Sequence, residues 1–282
     1  MSTPPLLTSL AHLLERADAE ACRDLALAVP PSVRDAYGVR VEAIGETVLG
    51  MSSGLDVLTF NRVVGLGMST PATAKELDAI IGRYRDANVR RFFLQLSPAA
   101  QPLALLDWIR QRGFVPYNAW MKLYRRAEPY SDDVAAMDAP EHTVRVERAH
   151  HEDADTFGTI AATTFGMPPA AAQWLTTIVG RDGWHCYLAY DGATPIGVGA
   201  MFVMRDYAWL GIAGTLEAAR RRGAQTALIR HRVNVAHAMG CKWVVVETAE
   251  ETATRVVPSL HNLRRLGFTV AYPRVNYLCA VE

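Results

Sequence analysis

Apolar residues recur along this chain with two periods, and the switch between them is sharpest over residues 207–239. Tyr207 to Thr215 reads Tyr-Ala-Trp-Leu-Gly-Ile-Ala-Gly-Thr, apolar and aromatic, which predicts a strand. After Gly223, residues Leu228, Ile229, Val233, Ala236 and Met239 recur at helical spacing. The same reading predicts helices over 6–14 and 19–29, a strand over 39–49, a strand or strand pair over 55–66 and a strand over 91–96. Thr73 and Glu76 have capping-box spacing, so a helix is predicted from Ala74 to about Ala87. A helix over 102–112 ends at Gly113, and 114–124 is a strand or hairpin. In the second half, the pattern predicts a short strand over 143–147, helices over 152–165 and 169–179, and a hairpin of strands 184–190 and 194–204 turning at Asp191-Gly192. Strand 207–215, helix 224–239 closed by Gly240, strand 242–248, a short helix over 258–266 and strand 268–281 follow.

Length and composition narrow this picture. At about 150 residues per domain, 282 residues suggest two domains. The stretch from Arg125 to His142, rich in Asp, Glu, Pro and Ala, separates them, giving units at 1–125 and 143–282 with a linker over 126–142. Lysine plus arginine and aspartate plus glutamate number 29 each, so no basic surface for nucleic acid or anionic membrane is expected. No run of about 18 apolar residues predicts a membrane span, and the start carries no signal-peptide pattern. The four cysteines, Cys22, Cys186, Cys241 and Cys279, are too scattered for a zinc site and fit reduced thiols of a cytoplasmic protein.

The chemistry concentrates between the strand and the helix, at Arg220-Arg221-Arg222-Gly223-Ala224-Gln225-Thr226. A helix N-terminus offers unpaired N–H groups and the positive end of the helix dipole, which suits a phosphate. Three arginines have the wrong sign for that end, so an anion is expected to neutralise them. This strand, Arg-x-x-Gly-x, helix sequence resembles the coenzyme A loop of the GNAT acyltransferase superfamily. Arg220 and Gly223 fit its motif, and Gln225 stands where the family has Gly or Ala. Ser259-Leu-His-Asn262-Leu-Arg-Arg-Leu-Gly267-Phe268 resembles the family's last helix. The resemblance implies an α+β fold, a mixed and mostly antiparallel twisted sheet flanked by helices. It also implies acetyl-CoA as acyl donor and an amine, small molecule or peptide, as acceptor, with no metal. It places the donor where strands 207–215 and 242–248 diverge. Ala213 or Thr215 would face the pantetheine, Arg220 and the N–H groups from Arg222 through Gly223, Ala224, Gln225 and Thr226 the pyrophosphate, and Asn262 the cofactor's flank.

An internal repeat extends the reading to the first half. Leu106 to Phe114 parallels Leu260 to Phe268, strand 91–96 parallels 243–248, and helix 74–87 parallels 224–239. The first copy has no Arg-x-x-Gly-x, and its Thr73 already caps the N–H groups a pyrophosphate would use. Residues 1–125 are therefore expected to form a degenerate GNAT-like domain with no cofactor of its own. The family's tyrosine acid, four residues before the Gly-Phe, is Leu263 here. Glu247, within Val-Val-Val-Glu-Thr beside the divergence, is the candidate base, and Tyr277 on the last strand, preferred over Tyr272, the candidate acid. Glu247 pairing structurally with an arginine is the alternative. His150-His151 reads as a solvated helix start, His231 and His237 as exposed, and Trp184, Trp209 and Trp243 as core. No Gly-x-Ser-x-Gly, Gly-x-Gly-x-x-Gly or Walker sequence is present. The function expected is an acyl-CoA-dependent N-acyltransferase, with a catalytically silent CoA-binding regulator and an interaction scaffold as the alternatives.

Overall fold

A computed structural model of the chain describes residues 5–130 and 144–281. Its helices are α1 (Pro5–Leu27), α2 (Pro31–Tyr37), α3 (Ala74–Asp86), α4 (Leu105–Gln111), α5 (Ala154–Thr164), α6 (Pro169–Leu175), α7 (Ala224–Ala238) and α8 (Pro258–Arg265). Its strands are β1 (Val39–Ile44), β2 (Thr47–Ser52), β3 (Arg62–Val64), β4 (Arg91–Leu96), β5 (Val115–Arg126), β6 (Arg145–Arg148), β7 (Trp184–Asp191), β8 (Thr194–Met204), β9 (Tyr207–Thr215), β10 (Trp243–Ala249) and β11 (Thr269–Ala280). The chain forms two compact units, one holding the described residues up to Lys122 together with those from Ala271 on, the other Leu123–Val270.

This division differs from the one expected at 143–282. The last strand closes the first unit, because β11 pairs antiparallel with β4 from Val275↔Leu96 to Ala280↔Arg91. The first unit's strands run in the order β1-β2-β3-β4-β11-β5, with a parallel β3–β4 pair at Arg62↔Phe93 and Val63↔Leu94. The predicted strand over 39–49 is a hairpin, β1 and β2, and only 62–64 of the predicted 55–66 is strand. Most of the linker expected over 126–142 lies outside the described residues. Its start is held in the second unit, where Tyr130 Oη donates to the Leu266 carbonyl at 2.5 Å and Ala127 N–H to that of Lys242 at 3.0 Å.

α1 is one helix where the pattern predicts two, and the polar residues that suggested a break explain why. Glu15 and Asp18 point into the unit and are fully buried. The Arg274 guanidinium lies 2.9 Å from Glu15 and 2.7 Å from Asp18, Lys122 and Arg62 each lie 3.5 Å from Asp18, and Tyr272 Oη donates to Glu15 at 2.8 Å. Burial alone would raise the Asp18 carboxyl, but Lys122, Arg62 and Arg274 together hold it far below the usual carboxylate range. Arg62 donates onward to Gln95, Gln95 to Asn276, and Asn276 to Asn118. Charge and amide dipoles thus fill the space between α1 and the sheet.

The loop before α3 is closed on itself. Thr73 Oγ1 accepts from the Glu76 N–H at 3.1 Å and the Glu76 carboxylate from the Thr73 N–H at 2.6 Å, the predicted capping box. Gly67 and Gln101 exchange backbone contact so closely that a Cβ at Gly67 would stand 2.5 Å from the Gln101 carbonyl oxygen.

In the second unit the order is β10-β9-β8-β7-β6, antiparallel throughout except for the β9–β10 pair. α5 packs on β8 and β9, and α7 on β7, β8 and β9. Trp184, Phe202 and Trp209 pack together, with ring centroids 4.9 and 6.2 Å from that of Trp184. Cys22, Cys186, Cys241 and Cys279 are buried thiols outside any disulfide. Among the described residues no helix is long and apolar enough to cross a membrane.

Candidate functional site: a strand fork and an uncapped helix

The β9–β10 ladder runs in register from Trp243↔Tyr207 to Val246↔Leu210 and ends there. The next residues are Gly211 on β9 and Glu247 on β10, both half-buried. A bulge explains the parting. On the β8 side, Val198 is level with Gly214 but Ala200 with Gly211, so Ile212 and Ala213 together oppose Gly199. Ile212 takes a left-handed φ of 46°, a rare conformation for a β-branched residue. A bulged strand bends and twists away from its neighbour, which opens a fork lined on one side by Gly211 to Thr215. The predicted pantetheine contacts Ala213 and Thr215 stand in this half-buried segment.

After β9 the chain makes a 3-10 turn, Glu217–Ala219, and reaches the arginines. Arg221 has φ 67° and Gly223 φ 85°, and Gly223 stands at the N-cap of α7. Glycine adopts that backbone without strain, and it brings no side chain to occupy the helix end. No side chain caps α7, so its first-turn N–H groups, at Ala224, Gln225 and Thr226, keep the open donors of a helix N-terminus. The expectation that an anion neutralises all three arginines needs correcting. Arg222 pairs with Asp191 of the β7–β8 turn at 2.6 Å, and Arg220 with Glu217 at 3.5 Å. Local carboxylates already serve these two guanidinium groups, so Arg222 offers the loop its backbone rather than its charge.

Gln225, the departure from the family motif, turns its side chain toward α8. Its Oε1 accepts from Asn262 Nδ2 at 2.7 Å, while Arg265 donates to Thr226 Oγ1 at 3.2 Å and to Asn262 Oδ1 at 3.4 Å. The side chain that is too large for the motif thereby ties the loop to α8 and leaves its own N–H at the helix end. Arg220, Arg222, Gly223, Ala224, Gln225, Thr226 and Asn262 therefore meet in one place, next to the fork that carries Ala213, Thr215 and Glu247.

Tyr277, the candidate acid, belongs to the first unit. Its strand closes the first unit, where it lies in register with Leu94 and is 8% exposed. Tyr272 is in the same unit, bonded to Glu15. The choice of Tyr277 as acid assumed that the last strand completed the second unit, and the β4–β11 ladder removes that assumption. Leu263, at the family's tyrosine position, is buried. Within the second unit, two hydroxyls meet beside the Glu247 position. Thr248 Oγ1, next to Glu247, lies 2.5 Å from Ser259 Oγ at the start of α8. His261 Nε2 meets Glu251 at 3.0 Å. His231, expected to be exposed, is half-buried against the Tyr187 ring, and burial and then Arg232 keep it from protonating as readily as a free histidine. Among the described residues no group of three or more His, Cys, Asp and Glu is arranged to hold a metal.

Neither a family model nor a curated protein matches the sequence. Solved structures do match it. A GCN5-related N-acetyltransferase from Kribbella flavida superposes with a TM-score of 0.60 at 17% identity, covering 93% of this chain and 94% of that one. A tandem GNAT protein from the clavulanic acid biosynthesis pathway gives 0.60 at 15% identity over 96% and 94%. A putative GNAT-family acetyltransferase from Novosphingobium aromaticivorans gives 0.54 at 13% over 92% and 96%. Identities this low speak for architecture alone, and the architecture is that of the tandem GNAT proteins.

Proposed function

We propose that the chain is an acyl-CoA-dependent N-acyltransferase, with acetyl-CoA as donor and an amine, on a small molecule or a peptide, as acceptor. The observation that carries the reading is the uncapped N-terminus of α7 directly beyond the β9–β10 fork. The N–H groups from Arg222 to Thr226 would hold the donor's pyrophosphate, with Arg221, which the structure leaves exposed, adding charge. Gly211 to Thr215 would meet the pantetheine with backbone groups. Charge-assisted hydrogen bonds contribute about 1.5–3 kcal/mol each, so four of them support micromolar binding after association costs.

The acceptor nitrogen attacks the thioester carbonyl carbon. The new C–N bond forms as the C–S bond breaks, and the thiolate leaves with the bonding pair. The nitrogen must also lose a proton. An alkylamine is only about 0.1% neutral at pH 7.4, a deficit of roughly 4 kcal/mol in available nucleophile. Glu247, half-buried at the end of the β9–β10 ladder, would take that proton, directly or through water. The experiment is a titration with CoA by calorimetry, followed by an assay of thiol released from acetyl-CoA over a panel of amines. Micromolar binding with amine-dependent thiol release is the expected result.

One observation favours a second reading, a CoA-binding regulator without turnover: the position of the family's tyrosine acid holds buried Leu263. Binding without thiol release for any amine in the panel would select it.

A further inference from the structure

α7 carries a fully buried arginine that the site described so far does not use. Arg232 is 1% exposed, and among the described residues the influences acting on it are burial, Tyr187 and Cys186, with no carboxylate. Its Nε donates to the Leu228 carbonyl of its own helix at 3.0 Å, and Nη1 donates across to the Ala200 carbonyl of β8 at 2.8 Å. Burial lowers its pKa to about 10, which leaves it charged at neutral pH. Burying an unpaired charge is expensive, so the site has to use it.

What it touches is the bulge. Ala200 is the residue at which the β8–β9 register shifts. The guanidinium occupies the space above Gly199, the residue opposite the bulged pair, where a Cβ would stand 2.9 Å from Arg232 Cζ. A carbonyl within a regular ladder is used by the neighbouring strand, and one beside a bulge is released. Arg232 supplies the donor at that break. Strand alternation puts Gly199 on the opposite face from Val198 and its partner Gly214. On that other face Thr164 of α5 fills the place of the missing Gly214 side chain, with Oγ1 2.2 Å from where a Cβ would lie. The bulged segment around the left-handed Ile212 is thus backed on both faces, by Arg232 at Gly199 and Ala200 and by Thr164 at Gly214, the kind of surrounding support an unfavourable backbone conformation needs in order to persist.

We infer that Arg232 is a positioning residue for the donor cleft: it locks the β9 bulge at Ile212–Ala213, and the bulge holds open the fork that receives the pantetheine of an acyl-CoA. The ligand half of this inference rests on the proposed function; the locking of the bulge does not. The experiment compares the wild-type chain with Arg232→Met, Arg232→Lys and Gly199→Ala. Two quantities are read on each, amide hydrogen exchange over 211–215 without ligand and the Kd for CoA by calorimetry. In Arg232→Met, exchange over 211–215 should quicken at least tenfold while the α7 amides keep their protection. The Kd should weaken about tenfold, the equivalent of one charged hydrogen bond. Lysine reaches one carbonyl and should restore part of both effects, which loss of general stability would not predict. Gly199→Ala keeps the arginine but displaces its guanidinium, so it should reproduce both effects, and it carries the test if Arg232→Met does not fold. Unchanged exchange over 211–215 in these variants overturns the inference. Faster exchange with an unchanged Kd overturns the link from bulge to binding. A wild-type chain that binds no CoA overturns the functional reading and the ligand half with it, while the exchange data still decide whether Arg232 locks the bulge.

Discussion

The chain builds the same helix end twice and finishes it in two ways. α3 of the first unit begins at Thr73, whose hydroxyl and whose Glu76 partner satisfy each other's backbone donors. α7 of the second unit begins at Gly223, with no side-chain cap. The strands repeat the contrast. In the internal repeat, Gln95 of β4 aligns with Glu247 of β10. Gln95 accepts from Arg62 and donates to Asn276 within the first unit, and Glu247 stands half-buried where the β9–β10 ladder ends. One unit uses its polar groups on itself, and the other leaves donors facing outward. A GNAT-like architecture alone therefore assigns no ligand. The difference lies in which orphaned groups the local sequence chooses to satisfy.

The largest expected effect falls on the open end. Gly223→Glu puts bulk and negative charge where the α7 donors converge, and it should weaken CoA binding by at least about a hundredfold in a calorimetric titration, since it replaces an attractive dipole with a repelling charge. Wild-type affinity in this variant would remove the loop as the binding site. The same titration should saturate at one CoA per chain, and two equivalent sites would erase the contrast between α3 and α7.

Next comes Glu247→Gln, which turns the second unit's carboxylate into the first unit's amide. Turnover should fall at least tenfold with CoA affinity kept, as expected for losing a general base. The loss should shrink as pH rises, because more of the amine is already neutral. Turnover near the wild-type rate at neutral pH would take Glu247 out of the reaction.

Asp18→Asn probes the self-satisfied side. Removing one member of a buried charge network costs about 3–5 kcal/mol. Because the folded-state Asp18 carboxyl is held far below its unfolded value, its contribution is fully present above about pH 4 and is lost as pH falls below that. The stability gap between variant and wild type, measured by urea unfolding, should therefore close on acidification, and a gap that is constant with pH would mean that Asp18 acts through packing. The smallest effect is Thr73→Ala, about 1 kcal/mol of stability and no change in CoA affinity.

Much of the second unit is legible in the sequence. The strands 194–204 and 207–215 have the predicted bounds, and the Arg-x-x-Gly turn sits where the change of period places it. The bulge and its clamp are not legible. Nothing in the apolar spacing of α7 marks Arg232, because charge normally stays outside, and the signal that could have exposed it is the Gly197-Val-Gly199 spacing in β8, since a glycine inside a strand often marks a close approach. Met239 shows the opposite error: it completes the apolar spacing of α7 but is 46% exposed just past the helix. In the first unit, Glu15 and Asp18 broke the predicted helix because their partners, Arg62, Lys122 and Arg274, are remote in sequence. For the same reason periodicity identifies the last strand but not its neighbour, β4, which puts the candidate acid Tyr277 in the first unit.

The placement of β11 also has a consequence for how the protein is made. The first unit cannot finish its sheet until Ala271 to Ala280 have been synthesised, some 149 residues after Lys122. At about 5–20 residues per second, that is a wait of roughly 7–30 s on the ribosome. Throughout it, β4 presents an unpaired edge, and Glu15 and Asp18 lack the arginine that lies closest to both. The second unit's elements, from β6 to α8, are all complete before that arginine emerges. Biosynthesis thus orders the two units in reverse of their sequence: the later one can settle first, and the earlier one is sealed by the final strand.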